Sequence, residues 1–173
     1  MARNFMCTKT DPVVETKAGK LRGFQLDGTY AFHGVKYADA KRFHQPTPVE
    51  PWEGIKNALA YGYVCPMLQQ DQPSNELMVP HRYWPLDENC QYLNIWTQHL
   101  DPNAKKPVLV WLHGGGFAAG SSIEHIAYEG ENMSKYGDVV VISLNPRLNI
   151  LGYLDLSPFG EEYKNSCNAG NAD

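Results

Sequence analysis

Several familiar patterns are missing from this sequence. It has no Cys-x-x-Cys pair and no His-Glu-x-x-His run, so zinc-finger and zincin chemistry are excluded and no metal is implied. No apolar stretch approaches the length of a membrane span, and the opening residues MARNFMCTKTDP lack the apolar run of a signal peptide. One-sided charge is missing too. Fifteen Lys and Arg against nineteen Asp and Glu leave a net charge of −4, which offers no footprint for nucleic acid or anionic lipid. Four cysteines in 173 residues do not make a disulfide scaffold. The chain therefore reads as soluble and, by default, cytoplasmic, with secretion left open.

What is present is an ordinary globular mixture, 43% hydrophobic and 20% charged, of a length that suits one domain and crowds two. Fifteen Gly and twelve Pro imply many loops. Cys65 and Cys90 close a polar, Pro-containing loop. A bridge there would contribute about 3–4 kcal/mol through loop entropy. A reducing compartment would leave both as thiols, and the sequence admits either state.

The chain divides into three stretches within one domain segment, 1–173. Residues 13–37 read as small strands: Val13–Thr16 and Lys20–Leu26 form a hairpin about Lys17-Ala18-Gly19, and Thr29–Tyr37 adds a strand. Residues 41–91 are loop-like, punctuated by Pro46, Pro48, Pro51, Pro66, Pro73, Pro80 and Pro85, with a short helix expected at Ile55–Tyr61. Residues 92–173 start a central sheet. Tyr92–Gln98 alternates like a half-buried strand. Pro107–Leu112 and Asp138–Leu144 are continuous apolar runs, the pattern of strands buried on both faces of an α/β sheet. Between them Tyr128–Tyr136 is a helical candidate.

The most informative residues are His113-Gly114-Gly115-Gly116-Phe117, directly after the run PVLVWL. Three successive glycines let backbone N–H groups converge on one point. Acyl transfer needs that, because its tetrahedral intermediate concentrates charge on one oxygen, and each preorganised donor is worth about 3–4 kcal/mol. A phosphate cradle is the competing reading, but neither G-x-G-x-x-G spacing nor a Walker lysine is present. A purely structural turn is the other.

Further motifs stand in order along the chain: Val14-Glu-Thr-Lys-Ala-Gly-Lys-Leu-Arg-Gly23, Phe32-His-Gly-Val-Lys-Tyr-Ala38, Arg42-Phe43 with Pro46 and Trp52, Glu88-Asn-Cys-Gln-Tyr-Leu-Asn94, HGGGF with Gly120-Ser-Ser122, Asn145-Pro-Arg147 with Leu151-Gly-Tyr-Leu154, and Asn168-Ala-Gly-Asn-Ala-Asp173. Together they resemble the N-terminal portion of the type-B carboxylesterase/cholinesterase family. The resemblance implies an α/β-hydrolase fold, its N-terminal portion only, and a serine ester hydrolase acting on small carboxylic esters without a cofactor. By the same resemblance Gly115 and Gly116 are the oxyanion donors, and Gly114 and Phe117 shape their loop. Trp84, next to Tyr83, would line the substrate pocket. Cys65 stands where the family pairs a cysteine with Cys90, and Arg42–Glu88 and Arg147–Asp173 stand as structural ion pairs. His113 belongs to the glycine loop and does not match the triad histidine.

Two positions depart from the family pattern: Pro146 replaces Tyr in Asn-Tyr-Arg, and Lys36 stands in place of a Pro. No Gly-x-Ser-x-Gly elbow occurs. In the family that elbow follows the motif ending at Asp173, so Ser, acid and His are expected on a C-terminal part, for example a companion chain. On this reading the 173 residues alone are inactive. The alternatives are a non-catalytic binding or adhesion member of the family and an inactive truncated piece.

Overall fold

The structure, a computed structural model, describes residues 3–67 and 80–173. Pro73 of the loop region lies outside the described residues. The strands are β1 (Phe5–Met6), β2 (Val13–Glu15), β3 (Lys20–Arg22), β4 (Phe24–Leu26), β5 (Thr29–Lys36), β6 (Ala38–Asp39), β7 (Thr47–Pro48), β8 (Ile55–Asn57), β9 (Tyr92–Thr97), β10 (Val108–Leu112) and β11 (Val140–Asn145). Among the described residues helices are few and short: α1 (Glu131–Gly137), α2 (Asn149–Tyr153) and α3 (Ala169–Ala172), with 3-10 turns before α1 and between α2 and α3. Six strands form one mixed sheet in the order β1-β4-β5-β9-β11-β10. Only β10 and β11 run parallel in it, joined through α1. Two small sheets, β2-β3-β8 and β6-β7, flank it.

The run Lys20–Leu26 is divided between two sheets. A Cβ on Gly23 would lie 2.3 Å from the Ala31 carbonyl oxygen, so the chain can cross there only without a side chain. Upstream, β3 pairs with β2 in the expected hairpin, Val14 opposite Leu21. Downstream, β4 joins the large sheet through β5. The expected helix at Ile55–Tyr61 is not formed: Ile55–Asn57 is strand β8, parallel to β3. Tertiary pairing overrides local propensity here. The Arg22 guanidinium holds Asn57 Oδ1 (2.9 Å from Nε), and the Ala58 N–H donates to the Arg22 carbonyl at 2.7 Å. The helix expected from Tyr128 begins later, at Glu131. Gly130 precedes it because a Cβ there would sit 2.6 Å from Val141.

The apolar runs also need correcting. They read as strands covered on both faces, and β11 comes close, with Val141, Ser143 and Asn145 buried and Val140, Ile142 and Leu144 partly covered. Strand β10 does not. It is the edge of the sheet, and Val108, Val110 and Leu112 are 58%, 50% and 69% exposed. The cause is topological: among the described residues nothing pairs with its outer edge or covers that face.

The buried side chains fall into three groups. Phe24, Ala31, Trp96 and Val141 pack on one side of the large sheet. Leu21, Phe32 and Ala58 lie between the large sheet and the β2-β3-β8 sheet. Cys65, Cys90, Leu148 and Leu151 fill the space behind the ends of β9 and β11. Beside the first group His33 stacks on Tyr61 (4.4 Å between centroids) and meets Phe24 and Trp96 edge-on. Its Nε2 is buried with no hydrogen-bond partner. Burial pushes its pKa down from 6.5 to about 4.

Because the folded chain disfavours imidazolium, this contribution is fully present above the unfolded pKa and is lost as pH falls from 6.5 toward 4. The parent should lose about 3 kcal/mol more than His33→Phe over that window. Urea midpoints of both chains at pH 7 and pH 4 measure it; parallel pH profiles refute it.

Candidate functional site

The parallel pair β10–β11 directs two loops to the same end of the sheet. After Leu112 comes the glycine loop, and after Asn145 comes the segment leading into α2. Gly115 and Gly116 have φ of +118° and +61°. A Cβ on Gly115 would lie 1.8 Å from the Ala119 carbonyl oxygen, so no other residue fits there. The Gly115 carbonyl accepts from the N–H groups of Ala118 (3.1 Å) and Ala119 (3.2 Å), closing a tight turn. Within the described residues the N–H groups of Gly115 and Gly116 donate to nothing. Phe117, also left-handed at φ +64°, is 68% exposed and meets Tyr153 edge-on.

The loop closes on itself at Gly120, where a Cβ would strike the Gly114 carbonyl oxygen at 2.6 Å and the His113 ring. His113 Nδ1–H donates to the Gly114 carbonyl at 2.7 Å, so its ring is spent inside the loop. Beyond the turn Ser121 and Ser122 are buried. The Ser122 N–H donates to Asn145 Oδ1 at 2.7 Å, and Asn94 Nδ2 reaches Ser122 Oγ (3.2 Å) and Ser143 Oγ (3.3 Å). Asn94 Oδ1 in turn accepts from the Gly34 N–H at 3.0 Å. Thus the base of the loop is fixed by a buried polar network from β5, β9 and β11. Sequence reasoning assigned these residues no role. The available signal was the polar residues at the buried positions of the alternating strands YLNIWT and VVISLN.

Beside the loop lies a concavity of about 460 Å³ lined by Leu112, His113, Gly114, Gly116, Phe117, Leu144, Pro146, Leu148, Tyr153, Gly170, Asn171 and Asp173. Most of its wall is apolar. Pro146, one of the two departures from the family pattern, is part of that wall. The other, Lys36, is remote from it: its ammonium donates to the Asn89 carbonyl at 2.6 Å and lies 4.5 Å over the Tyr92 ring. Burial lowers its pKa.

The remaining site candidates are placed as follows. Trp84 is not in the concavity; its ring rests edge-on against Tyr61 and its Nε1–H donates to the Tyr61 carbonyl at 3.1 Å. Cys65 and Cys90 are both buried and unbridged, with their thiols in contact. The Cys90 thiol, together with the Leu148 N–H at 3.1 Å, lowers the Cys65 pKa, while its sulfur neighbour and burial raise that of Cys90. Arg42 and Glu88 pair in a bidentate, largely exposed contact, Nε to Oε2 at 2.6 Å. Arg147 and Asp173 are different. Their side chains are 1% and 0% exposed, joined through Nε–Oδ2 at 2.8 Å and Nη2–Oδ1 at 2.7 Å. Nη1 is taken by the His44 carbonyl at 2.7 Å and by that of Lys41 at 3.3 Å, and Gln91 Nε2 donates to Asp173 Oδ2 at 3.1 Å.

A mixed sheet with a parallel pair, and a glycine loop opening from the end of the strand at its edge, defines the chain as part of an α/β-hydrolase. The Carboxylesterase family pattern matches residues 10–173, and the chain belongs to that family. It is 36% identical over 162 residues to the para-nitrobenzyl esterase of Bacillus subtilis, covering 91% of this chain and 32% of that protein. It is 40% identical over 150 residues to the phenmedipham hydrolase of Pseudarthrobacter oxydans, covering 84% and 30%. Among solved structures it superposes with a TM-score of 0.94, at 65% identity, on an esterase from Clostridium hathewayi described as hydrolysing aliphatic aromatic polyesters; the match covers 99% of this chain and 34% of that one. The chain spans about a third of the length of the proteins it matches.

The two ion pairs separate exposed from buried electrostatics. Arg147→Met leaves the Asp173 carboxylate buried without its cation, which should cost about 3–5 kcal/mol. Arg42→Ala, at a pair open to water, should leave the unfolding midpoint close to that of the parent. Chemical denaturation of the two variants side by side checks this; equal midpoints contradict it.

Proposed function

We propose that this chain supplies the oxyanion hole of a serine carboxylesterase, with Gly115 and Gly116 as the donors. The observation that carries the reading is the pair of unused N–H groups in a loop where Gly115 has no room for a side chain and Gly116 is left-handed, at the end of an edge strand. The tetrahedral intermediate of ester hydrolysis places its negative oxygen where such donors converge. Gly114 gives the loop room, Phe117 and the apolar concavity receive the substrate, and no cofactor or metal takes part.

The nucleophile, acid and histidine belong to a C-terminal part, and the open edge of β10 among the described residues supports adding its first strand there. A parallel strand added there by a right-handed crossover ends beside the glycine loop. A serine on the strand-to-helix elbow at that end faces the two N–H groups. The serine attacks the ester carbonyl, the histidine takes its proton and returns it to the leaving alcohol, and water then cleaves the acyl-serine. The exposed row Val108, Val110 and Leu112 becomes the contact with that part. The chain alone has no nucleophile and turns nothing over.

The test is complementation. Co-expressed with the C-terminal two-thirds of the Clostridium hathewayi esterase, the chain should form a complex that hydrolyses p-nitrophenyl acetate, while each piece alone does not. A folded, co-purifying complex without activity overturns the assignment. In the active complex Gly115→Pro should lower kcat by about a hundredfold or more; an unchanged kcat removes Gly115 from the donor role. Val110→Lys with Leu112→Lys should abolish co-purification, and a complex that survives both lysines shows that β10 is not the contact.

A further inference from the structure

The glycine loop carries the donors but does not fix their direction by itself. Its internal bonds run to the Gly115 carbonyl and, from the His113 ring, to the Gly114 carbonyl, so the orientation of the peptide units at Gly115 and Gly116 depends on what holds the far side of the turn. Asn149 does this. At the start of α2 it adopts φ +51°, a left-handed conformation that Asn tolerates better than most residues. That backbone aims its N–H at the Phe117 carbonyl, 2.7 Å away. Its side-chain amide Nδ2 donates to the Pro66 carbonyl at 2.8 Å and makes a longer contact, 3.5 Å, with the Ala118 carbonyl. Oδ1 accepts from the Leu151 N–H at 3.3 Å, so the amide is held at both ends.

Asn149 thereby joins three segments distant in sequence: the turn at Phe117–Ala118, the start of α2, and the strap Cys65–Met67. The strap has its own ties to the same region, Cys65 Sγ accepting from the Leu148 N–H (3.1 Å) and Met67 Sδ from the Gly120 N–H (3.4 Å). We infer that Asn149 is a positioning residue for the oxyanion loop, holding the Gly115 and Gly116 N–H groups in register through the carbonyls of Phe117, Ala118 and Pro66. This rests on the reading of Gly115 and Gly116 as oxyanion donors. Donors of this kind must be held within about 10–20° of their productive direction, so a clasp one residue away acts on the rate and not on substrate affinity.

The clasp can be opened without disturbing the backbone. In the complemented enzyme, Asn149→Gly keeps the left-handed turn and the N–H bond to Phe117 and removes the side chain alone. Asn149→Asp keeps the shape and removes the donor. Both remove the short Nδ2 bond to the Pro66 carbonyl and should lower kcat about fivefold to tenfold with KM within about twofold of the parent. Both should weaken a trifluoromethyl ketone, which forms a tetrahedral adduct in the hole, by the same factor. A kcat and inhibitor affinity equal to the parent's overturn the positioning role, as does a change confined to KM. If the parent complex is active and Gly115→Pro is as active as the parent, the oxyanion reading itself is overturned, and this inference with it.

Discussion

The buried contact between Arg147 and Asp173 is the constraint on which the architecture turns. A guanidinium removed from water must have its donors satisfied, and from the segment after β11 those of Arg147 reach the carbonyls of the 41–44 loop and the Asp173 carboxylate just beyond α3. Segments far apart in sequence are thus fixed around one charge. Such a pair gives less net stability than its short distances suggest, because desolvating both ions offsets most of the attraction. Its effect is geometric: Pro146 and Leu148 are carried into the wall of the concavity because Arg147 between them points inward.

The same logic, without charge, operates beneath the glycine loop. Asn94, Ser122, Ser143 and Asn145 are all buried and bonded to one another or to backbone. A buried amide with a missing partner would cost more than an apolar residue in its place, so the network holds only in one arrangement. The loop above it is conformationally unusual, with three consecutive residues at positive φ from Gly115 to Phe117. Unusual backbone of this kind persists where its surroundings over-determine it. Rigid strands below and an asparagine clasp above supply that condition.

Much of this was legible in the residues. The glycine loop after PVLVWL, the hairpin at Val14–Leu21, and the strands at Thr29–Lys36, Tyr92–Thr97 and Val140–Asn145 follow from local pattern. What was not legible depended on partners. Ile55–Asn57 has no strand pattern of its own and becomes a strand because β3 offers it an edge. The exposure of Val108, Val110 and Leu112 could not be read from an apolar run, since composition reports what a strand is suited to and not what covers it. Trp84, a pocket residue by the resemblance, packs on Tyr61, whose carbonyl takes its indole N–H, a contact that only the fold reveals. Asn149 carries no motif, and its part in the loop depends on a backbone angle.

The bare edge of β10 also sets a kinetic order. Strand addition to an edge is indifferent to whose strand arrives. A strand tethered on the same polypeptide meets it at an effective concentration of about millimolar, in a first-order step. A strand on a separate polypeptide arrives by a second-order step, in competition with the β10 edges of other copies. Dilution therefore leaves the tethered route unchanged and slows assembly from separate parts together with self-association. For this fold, the yield of completed sheet is decided by how its strands are connected as much as by how well they fit.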